Sequence, residues 1–243
     1  MVSIVLKYLS TFLILTWILP AHGQFRVPDT QFDAGLEGAE SYPTRSLLGK
    51  FNIKVNELAI GPYTGTWQNR KSSRRGGFLM RNNRKTSTAI TLESEQHGVW
   101  AMFCSGELKG FDFGGISFDS ENEFDYQCVM EQDADRVIMR VLPYKKPKFY
   151  VGQPQENRQV EISNNDGLIM EGESIHALEG TRRTTTKPAG YHIRKDDELI
   201  GGTGRRDKNQ LILANAPTDS ENHIVFMVGL GLHFFTQNDL TRE

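Results

Sequence analysis

The segment Ile224–Phe235 (IVFMVGLGLHFF) narrows the available folds more than any other part of the chain. His233 is its one polar side chain over twelve residues. Pro217-Thr218-Asp219-Ser220-Glu221 precedes it, and Thr218 and Glu221 have the spacing of a capping box that serves the orphan N–H groups of a helix start. Asp219 and Glu221 suit the positive end of the helix dipole. A helix that is apolar on every side must be buried on every side. A buried strand is the competing reading, since Val, Phe and Gly-Leu-Gly are tolerated there. The capping box and the length favour the helix.

The chain upstream reads as short strands. Period-two alternation marks 51–55, 78–80, 88–92, 99–104, 123–130, 136–142, 148–151, 159–162, 168–175, 190–193, 198–202 and 210–213. Alternation broken by turn residues about every 8–12 positions is the mark of an antiparallel sandwich or barrel. Asn165-Asp166-Gly167 lies between two runs, and Asp-Gly suits a type I′ hairpin turn. Arg194-Lys195-Asp196-Asp197 separates another pair. The expected fold is therefore all-β and mainly antiparallel, a barrel of roughly twelve strands with one apolar C-terminal helix, whose place inside or outside the barrel stays open. Residues 24–50 hold few large apolar side chains and read as an irregular N-terminal arm. Residues 51–243 read as a single β-barrel domain.

Residues 1–23 read as an address. Lys7 precedes the apolar run Tyr8–Leu19, then Pro20 and Ala21-His22-Gly23, the three-part plan of a cleaved signal peptide. The run is too short for a membrane span, which needs about 20 apolar residues. The expected product starts at Gln24, has no transmembrane segment, and is secreted or periplasmic. Cys104 and Cys128 are the two cysteines. In an oxidising compartment a structural disulfide is favoured over two free thiols, and closing a loop of about 25 residues would contribute about 3 kcal/mol.

Charged residues make up 24% of the chain and the net charge is −2, which argues against nucleic acid as a partner. The charges are nonetheless uneven. Arg70, Lys71, Arg74, Arg75, Arg81, Arg84 and Lys85 form a run without acids, and 111–135 is acidic without a base. Three explanations stand: solvated faces, mutual attraction of the two runs, or a basic surface for anionic lipid headgroups or lipopolysaccharide. Asp119, Glu121, Glu123 and Asp125 space carboxylates two apart as calcium loops do, but without the glycine of an EF-hand, so they are weak metal candidates. No catalytic residue is assigned. There is no Gly-x-Ser-x-Gly elbow and no metal-ligand spacing among the histidines, and no cofactor motif is present. Gly201-Gly202-Thr203-Gly204-Arg205-Arg206 lacks the ending of a phosphate loop and reads as a glycine-permitted bend or bulge.

A dozen strands followed by an apolar helix, with Gly190-Tyr-His-Ile, Leu199-Ile-Gly201 and Leu211-Ile-Leu213 leading into it, resembles the tubby-like fold of tubby domains, phospholipid scramblases and LURP-related proteins. That resemblance implies a closed barrel around a central hydrophobic helix, and a membrane-lipid or phosphoinositide partner. No lipid-contacting residue of the family maps onto this chain. Gly65-Thr66-Trp67 is similar to the Gly-x-Trp of lipocalin-like barrels, which implies a small apolar ligand. The expected function is an exported non-catalytic barrel that binds an anionic envelope lipid or a protein partner. The alternatives are an apolar-ligand carrier, which requires an open cavity, and an exported hydrolase, which would need His176 or His192 clustered with acids.

Overall fold

The structure, a computed structural model, describes residues 29–36, 38–44, 55–74, 81–113, 116–143, 149–150, 153–154, 156–182, 184–206 and 209–237. Residues 1–23, expected to be a signal peptide, the expected runs 51–54 and 78–80, and Arg75 lie outside the described residues.

Strands come in chain order as β1 (Glu40–Thr44), β2 (Asn56–Ile60), β3 (Tyr63–Arg74), β4 (Arg81–Ser94), β5 (Gly98–Phe113), β6 (Ile116–Gln132) and β7 (Asp135–Pro143). A small hairpin of β8 (Phe149–Tyr150) and β9 (Gln153–Pro154) follows. Then come β10 (Arg158–Asn164), β11 (Gly167–Ile175), β12 (Gly190–Lys195), β13 (Glu198–Arg206) and β14 (Asn209–Ala214), and the helix α1 (Asp219–Gln237). Twelve strands form one antiparallel sheet in the order β1-β14-β13-β12-β11-β10-β7-β6-β5-β4-β3-β2. From β2 to β14 chain neighbours are sheet neighbours except across the β8–β9 hairpin, and β1 pairs with β14. Because β1 and β2 end the order yet follow one another in sequence, the sheet curls into a nearly closed barrel with its seam between them.

The seam suits its residues. Pro43 has no N–H to donate, and β1 pairs only with β14, so the lost donor costs the ladder nothing on the open side. Tyr42 of β1 covers the seam. Its ring lies edge-on to Tyr63 at 6.2 Å and to Phe226 of α1 at 5.0 Å. It also lies over Gly61, which has φ +55° and whose hypothetical Cβ would fall 2.6 Å from Tyr42 Cδ1.

α1 fills the barrel. Its residues from Val225 to Phe235 are all buried. Phe226 stacks on Tyr63 of β3 at 4.0 Å, Phe234 meets Trp67 of β3 at 5.3 Å, and Phe235 meets Tyr126 of β6 at 4.8 Å. Gly229 faces Ile212 of β14, and Gly231 faces Met139 of β7 and Cys128 of β6. The Tyr126 hydroxyl donates to the Gly231 carbonyl at 3.2 Å. These partners surround the helix, so it runs inside the barrel and its all-round apolar surface is satisfied there. The capping box forms as the spacing implies. The Glu221 N–H donates to Thr218 Oγ1 at 3.3 Å, and the Thr218 hydroxyl donates to Glu221 Oε2 at 3.0 Å. Lys195 pairs with Glu221, and Gln96 donates to Asp219 at 3.0 Å, so two turns hold the helix start.

Several local expectations change. The arm 24–50 is not irregular throughout: it contains β1 and a 3-10 turn at Ala34–Leu36. Its residues 29–36 form a strap over the outside of β13. Thr30 N–H donates to the Arg205 carbonyl at 2.8 Å, and the hypothetical Cβ of Gly204 would lie 2.6 Å from Phe32. The glycine run 201–204 is thus a strand squeezed from both faces, with Val225 of the helix 2.3 Å from where a Cβ of Gly201 would be. A register shift falls beside it, where Ile193 pairs with Gly201 and Arg194 with Leu199. The turn at Asn165-Asp166 is a hairpin, but the positive φ falls on Gly167 (132°), so it is not type I′. The paired positive φ values of a type I′ turn sit instead on Asp196 (50°) and Asp197 (66°).

Candidate functional site

The basic run folds back on itself. β3 and β4 pair so that Arg70 stands opposite Ser87, Lys71 opposite Thr86, Lys85 opposite Ser72, Arg84 opposite Ser73, and Arg74 opposite Asn83. Sixteen positions of sequence fold into a few rows of one hairpin. Each cation faces a small polar residue rather than another cation, which limits like-charge repulsion across the strands. Arg70, Lys71 and Lys85 are exposed. The side chains of Arg74, Arg81 and Arg84 lie outside the described residues, although their backbone belongs to the hairpin.

The acidic run lies two strands away. Lys85 pairs with Glu107 of β5 at 3.1 Å, and Glu107 stands opposite Asp125 of β6. One row of the sheet thus runs from cation to carboxylate to carboxylate, with the partner of Lys85 lying outside the acidic run 111–135. Asp119 is opposite Gly110 while Phe124 is opposite Leu108, so residues 120–123 bulge from the ladder. That bulge separates Asp119 from Asp125, and the even spacing read from the sequence does not survive as a flat row. The side chains of Asp119, Glu121 and Glu123 lie outside the described residues. Among the described residues no group of three His, Cys, Asp or Glu side chains is placed to hold a metal.

Cys104 and Cys128 stand directly opposite each other on β5 and β6 and form a disulfide, both fully buried against the helix. Trp67 of the Gly-Thr-Trp triplet packs on Phe234, a core residue. Gly65 has a stricter reason: a Cβ there would lie 1.9 Å from the Thr91 carbonyl oxygen of the next strand.

The histidines fall into four settings. His192 Nε2 accepts from the Asp33 N–H at 3.2 Å, and its Nδ1 lies 3.6 Å from the Asp33 carboxylate, which Arg194 also holds at 3.0 Å. This cluster fastens the strap to β12. His176 Nε2 lies 3.1 Å from Ser174 Oγ, and its Nδ1 lies 2.8 Å from the Thr185 carbonyl, so Nδ1 carries the proton. Ser174 Oγ also accepts the Arg158 N–H at 3.0 Å, and the buried Arg158 pairs with Glu156 at 3.3 Å. Burial, with Arg158 adding repulsion, holds the His176 pKa below the usual imidazole value. At the opposite end of the barrel His223 Nδ1 lies 3.0 Å from the Tyr63 hydroxyl, and its ring stacks on His97 at 4.5 Å. Burial lowers its pKa to about 4, with the neighbouring His97 adding to the effect. His233, inside the helix, reaches Thr44 Oγ1 at 3.5 Å, and burial lowers its pKa to about 4 as well.

Neither the Ser174–His176 contact nor the Tyr63–His223 contact carries a sequence signal. Tyr63 and His223 are 160 residues apart, and Ser174-x-His176 is too short and too common a pattern to mark a site. No helix of the described residues is long and apolar enough to cross a membrane. Comparison of the chain with models of protein families, with curated proteins and with solved structures finds no match.

Proposed function

We propose that this chain is an exported, non-catalytic barrel of tubby-like type that works through its outer surface, binding an anionic envelope lipid at the β3–β4 hairpin. One observation carries the reading: Arg70 and Lys85 stand exposed on the same, outer face of one hairpin, with Arg74 and Arg84 at adjoining register positions. A twelve-strand antiparallel meander around an apolar helix supports the tubby-like assignment. The filled interior speaks against an apolar-ligand carrier, because the space such a ligand needs is taken by α1.

The test is co-sedimentation of the chain from Gln24 with phosphatidylcholine vesicles, with and without phosphatidylglycerol, at low and high salt. Binding should require the anionic lipid and weaken as salt rises. Neutralising Arg70 and Lys85 together removes about 1 kcal/mol each, and binding should fall about thirtyfold. Equal binding to both vesicle types, or none to either, would sink the lipid reading. Capture of an envelope protein without vesicle binding would put a protein partner in the lipid's place.

A second reading, an exported hydrolase, rests on Ser174 and His176 with the Thr185 carbonyl behind the imidazole. That is the order of a nucleophile, a base and an orienting group. A fluorophosphonate probe tests it: labelling of Ser174 that disappears in His176→Ala would support it, and an unlabelled protein would remove it.

A further inference from the structure

The outward face of strands β3 to β7 carries an apolar row beside the basic one. Met102, Cys104, Cys128 and Met139 are buried in the barrel, so their chain neighbours face out. Ala89 of β4, Phe103 of β5, Val129 of β6 and Ile138 of β7 stand opposite one another in turn across the four strands. Ala89 and Phe103 are exposed, and Val129 and Ile138 are half-buried. Phe103 is 53% exposed, and it is the one exposed aromatic among the residues whose side chains are described. The next outward row holds Arg70, Ser87, Ser105, Gln127 and Arg140, with Glu161 of β10 opposite Arg140. Strands lie about 4.8 Å apart and outward rows about 7 Å apart, so Arg70 and Arg140 each stand about 12 Å from Phe103 along the sheet. On the other side of the apolar row come Thr66, Thr91, Ala101 and the ion pair of Glu131 with Arg136. Asp125 and Glu93 stand two outward rows from Phe103.

We infer that this face lies against the bilayer itself, with Phe103 entering the boundary between headgroups and acyl chains as an anchor. The inference rests on the lipid reading above and deepens it: the partner is a membrane surface rather than a soluble anion. Charge and placement select it. Arg70 and Lys85 stand on the same outward face as Phe103, so a plane of anionic headgroups that meets those cations also meets the apolar row. A soluble anion would engage the cations and leave Phe103 in water. Two acids of this face, Glu107 and Glu131, are already held by Lys85 at 3.1 Å and by Arg136 at 3.3 Å. Size argues against a second copy of the chain. One half-exposed phenylalanine with three smaller neighbours offers far less apolar surface than the roughly 800 Å² that each partner buries in a stable interface. A single hydrophobic anchor holds a membrane only marginally, and a basic patch is the second signal that makes the hold stable. The apolar row and the cations beside it are that combination.

The chain from Gln24 has two tryptophans, Trp67 and Trp100, both buried, so Phe103→Trp adds a surface reporter. It is mixed with vesicles of phosphatidylcholine and phosphatidylglycerol, with and without acyl chains brominated near the headgroup. The emission of Phe103→Trp should shift to the blue on anionic vesicles and be quenched by the brominated chains, beyond any change in the wild type. Phe103→Ala should weaken co-sedimentation about tenfold and leave its salt dependence parallel to that of the wild type. Neutralising Arg70 and Lys85 should instead flatten the salt dependence. Circular dichroism checks that each variant keeps the fold. Free glycerol phosphate should not compete with the vesicles. Wild-type binding by Phe103→Ala, with no quenching of Phe103→Trp, overturns this inference and leaves the lipid reading standing. So does competition by glycerol phosphate that matches the vesicles. Dimerisation in sedimentation that Phe103→Ala abolishes, with vesicle binding unchanged, gives the face to a second copy instead. No binding of the wild type to any vesicle removes the lipid reading and this inference together.

Discussion

Gly229→Ala asks whether α1 is packed inside the barrel. In an exposed helix this substitution stabilises, because alanine is favoured over glycine by about 1 kcal/mol. Here the added Cβ would lie 2.5 Å from Ile212 Cγ2 and 3.4 Å from its Cβ and Cγ1. Carbon atoms pack best at about 3.5–4.0 Å, so the overlap is about 1 Å. Ile212 is fully buried on β14 and cannot swing aside. Overpacking of that kind costs about 1–3 kcal/mol. The clash matches or exceeds the propensity gain, and a net loss of up to about 2 kcal/mol follows. For a domain of this size each kcal/mol moves the melting temperature by about 2–4 °C. Urea and thermal denaturation followed by circular dichroism measure both quantities. Ile212→Leu removes the Cγ2 branch, so the double variant should recover most of the loss and a double-mutant cycle should show coupling. Gly231→Ala is the control. It meets the flexible Met139 Cε at 3.0 Å and Cys128 Sγ at 3.1 Å, and should change stability by less than Gly229→Ala. Stabilisation of about 1 kcal/mol by Gly229→Ala would mean that the helix does not press on β14, and the reasoning would fail.

Three further outcomes are expected. Gly65→Ala puts a methyl 1.9 Å from the Thr91 carbonyl oxygen, on backbone that cannot yield without parting β3 from β4, so it should cost about 3 kcal/mol or more; soluble yield and urea midpoint measure this, with exposed Thr66→Ala expected to be near neutral. Replacing Cys104 and Cys128 together by alanine should cost about 3 kcal/mol through loss of loop closure, and an unchanged denaturation midpoint would show that the bridge does not constrain the unfolded chain. His223 and His233 both have folded pKa values lowered by burial to about 4, below the usual 6.5. The unfolded chain then binds more protons between those values, so stability is full above pH 6.5 and declines as pH falls towards 4. His233→Gln should flatten that decline by up to about 1.4 kcal/mol per pH unit, and a parallel curve would show that His233 takes no part in it.

The strands legible in the sequence are those whose inward faces are continuously apolar. β7 shows Val137, Met139 and Val141 alternating with outward residues that include Arg136 and Arg140, and β10 shows Val160 and Ile162 alternating with polar neighbours. β3 was not legible, because its inward positions carry Tyr63, Gly65, Trp67, Asn69 and Lys71, and the glycine and polar members dilute the period. β1 (ESYPT) carries Tyr42 as its one large inward side chain and exists because β14 offers it a ladder. The helix was legible because its cap and its apolar body are local properties. The pairing of Cys104 with Cys128 was expected from there being two cysteines in a chain whose first residues read as an export signal, and the sheet register places them face to face.

The site was less legible, for a related reason. Composition located the basic run, but only the hairpin decides that Arg70 and Lys85 share one patch, and only the third strand supplies Glu107 as the partner of Lys85. The contacts of His223, His176 and His192 join residues that have no pattern in common. Hydrophobic periodicity and capping act over one or two turns of chain, so the sequence by itself determines which segments become strands or helix and which faces they bury. Charge patches, exposed apolar rows and histidine contacts depend on distances through space between segments up to 160 residues apart. Those distances are set by closure of the barrel around α1, and only the tertiary structure decides them.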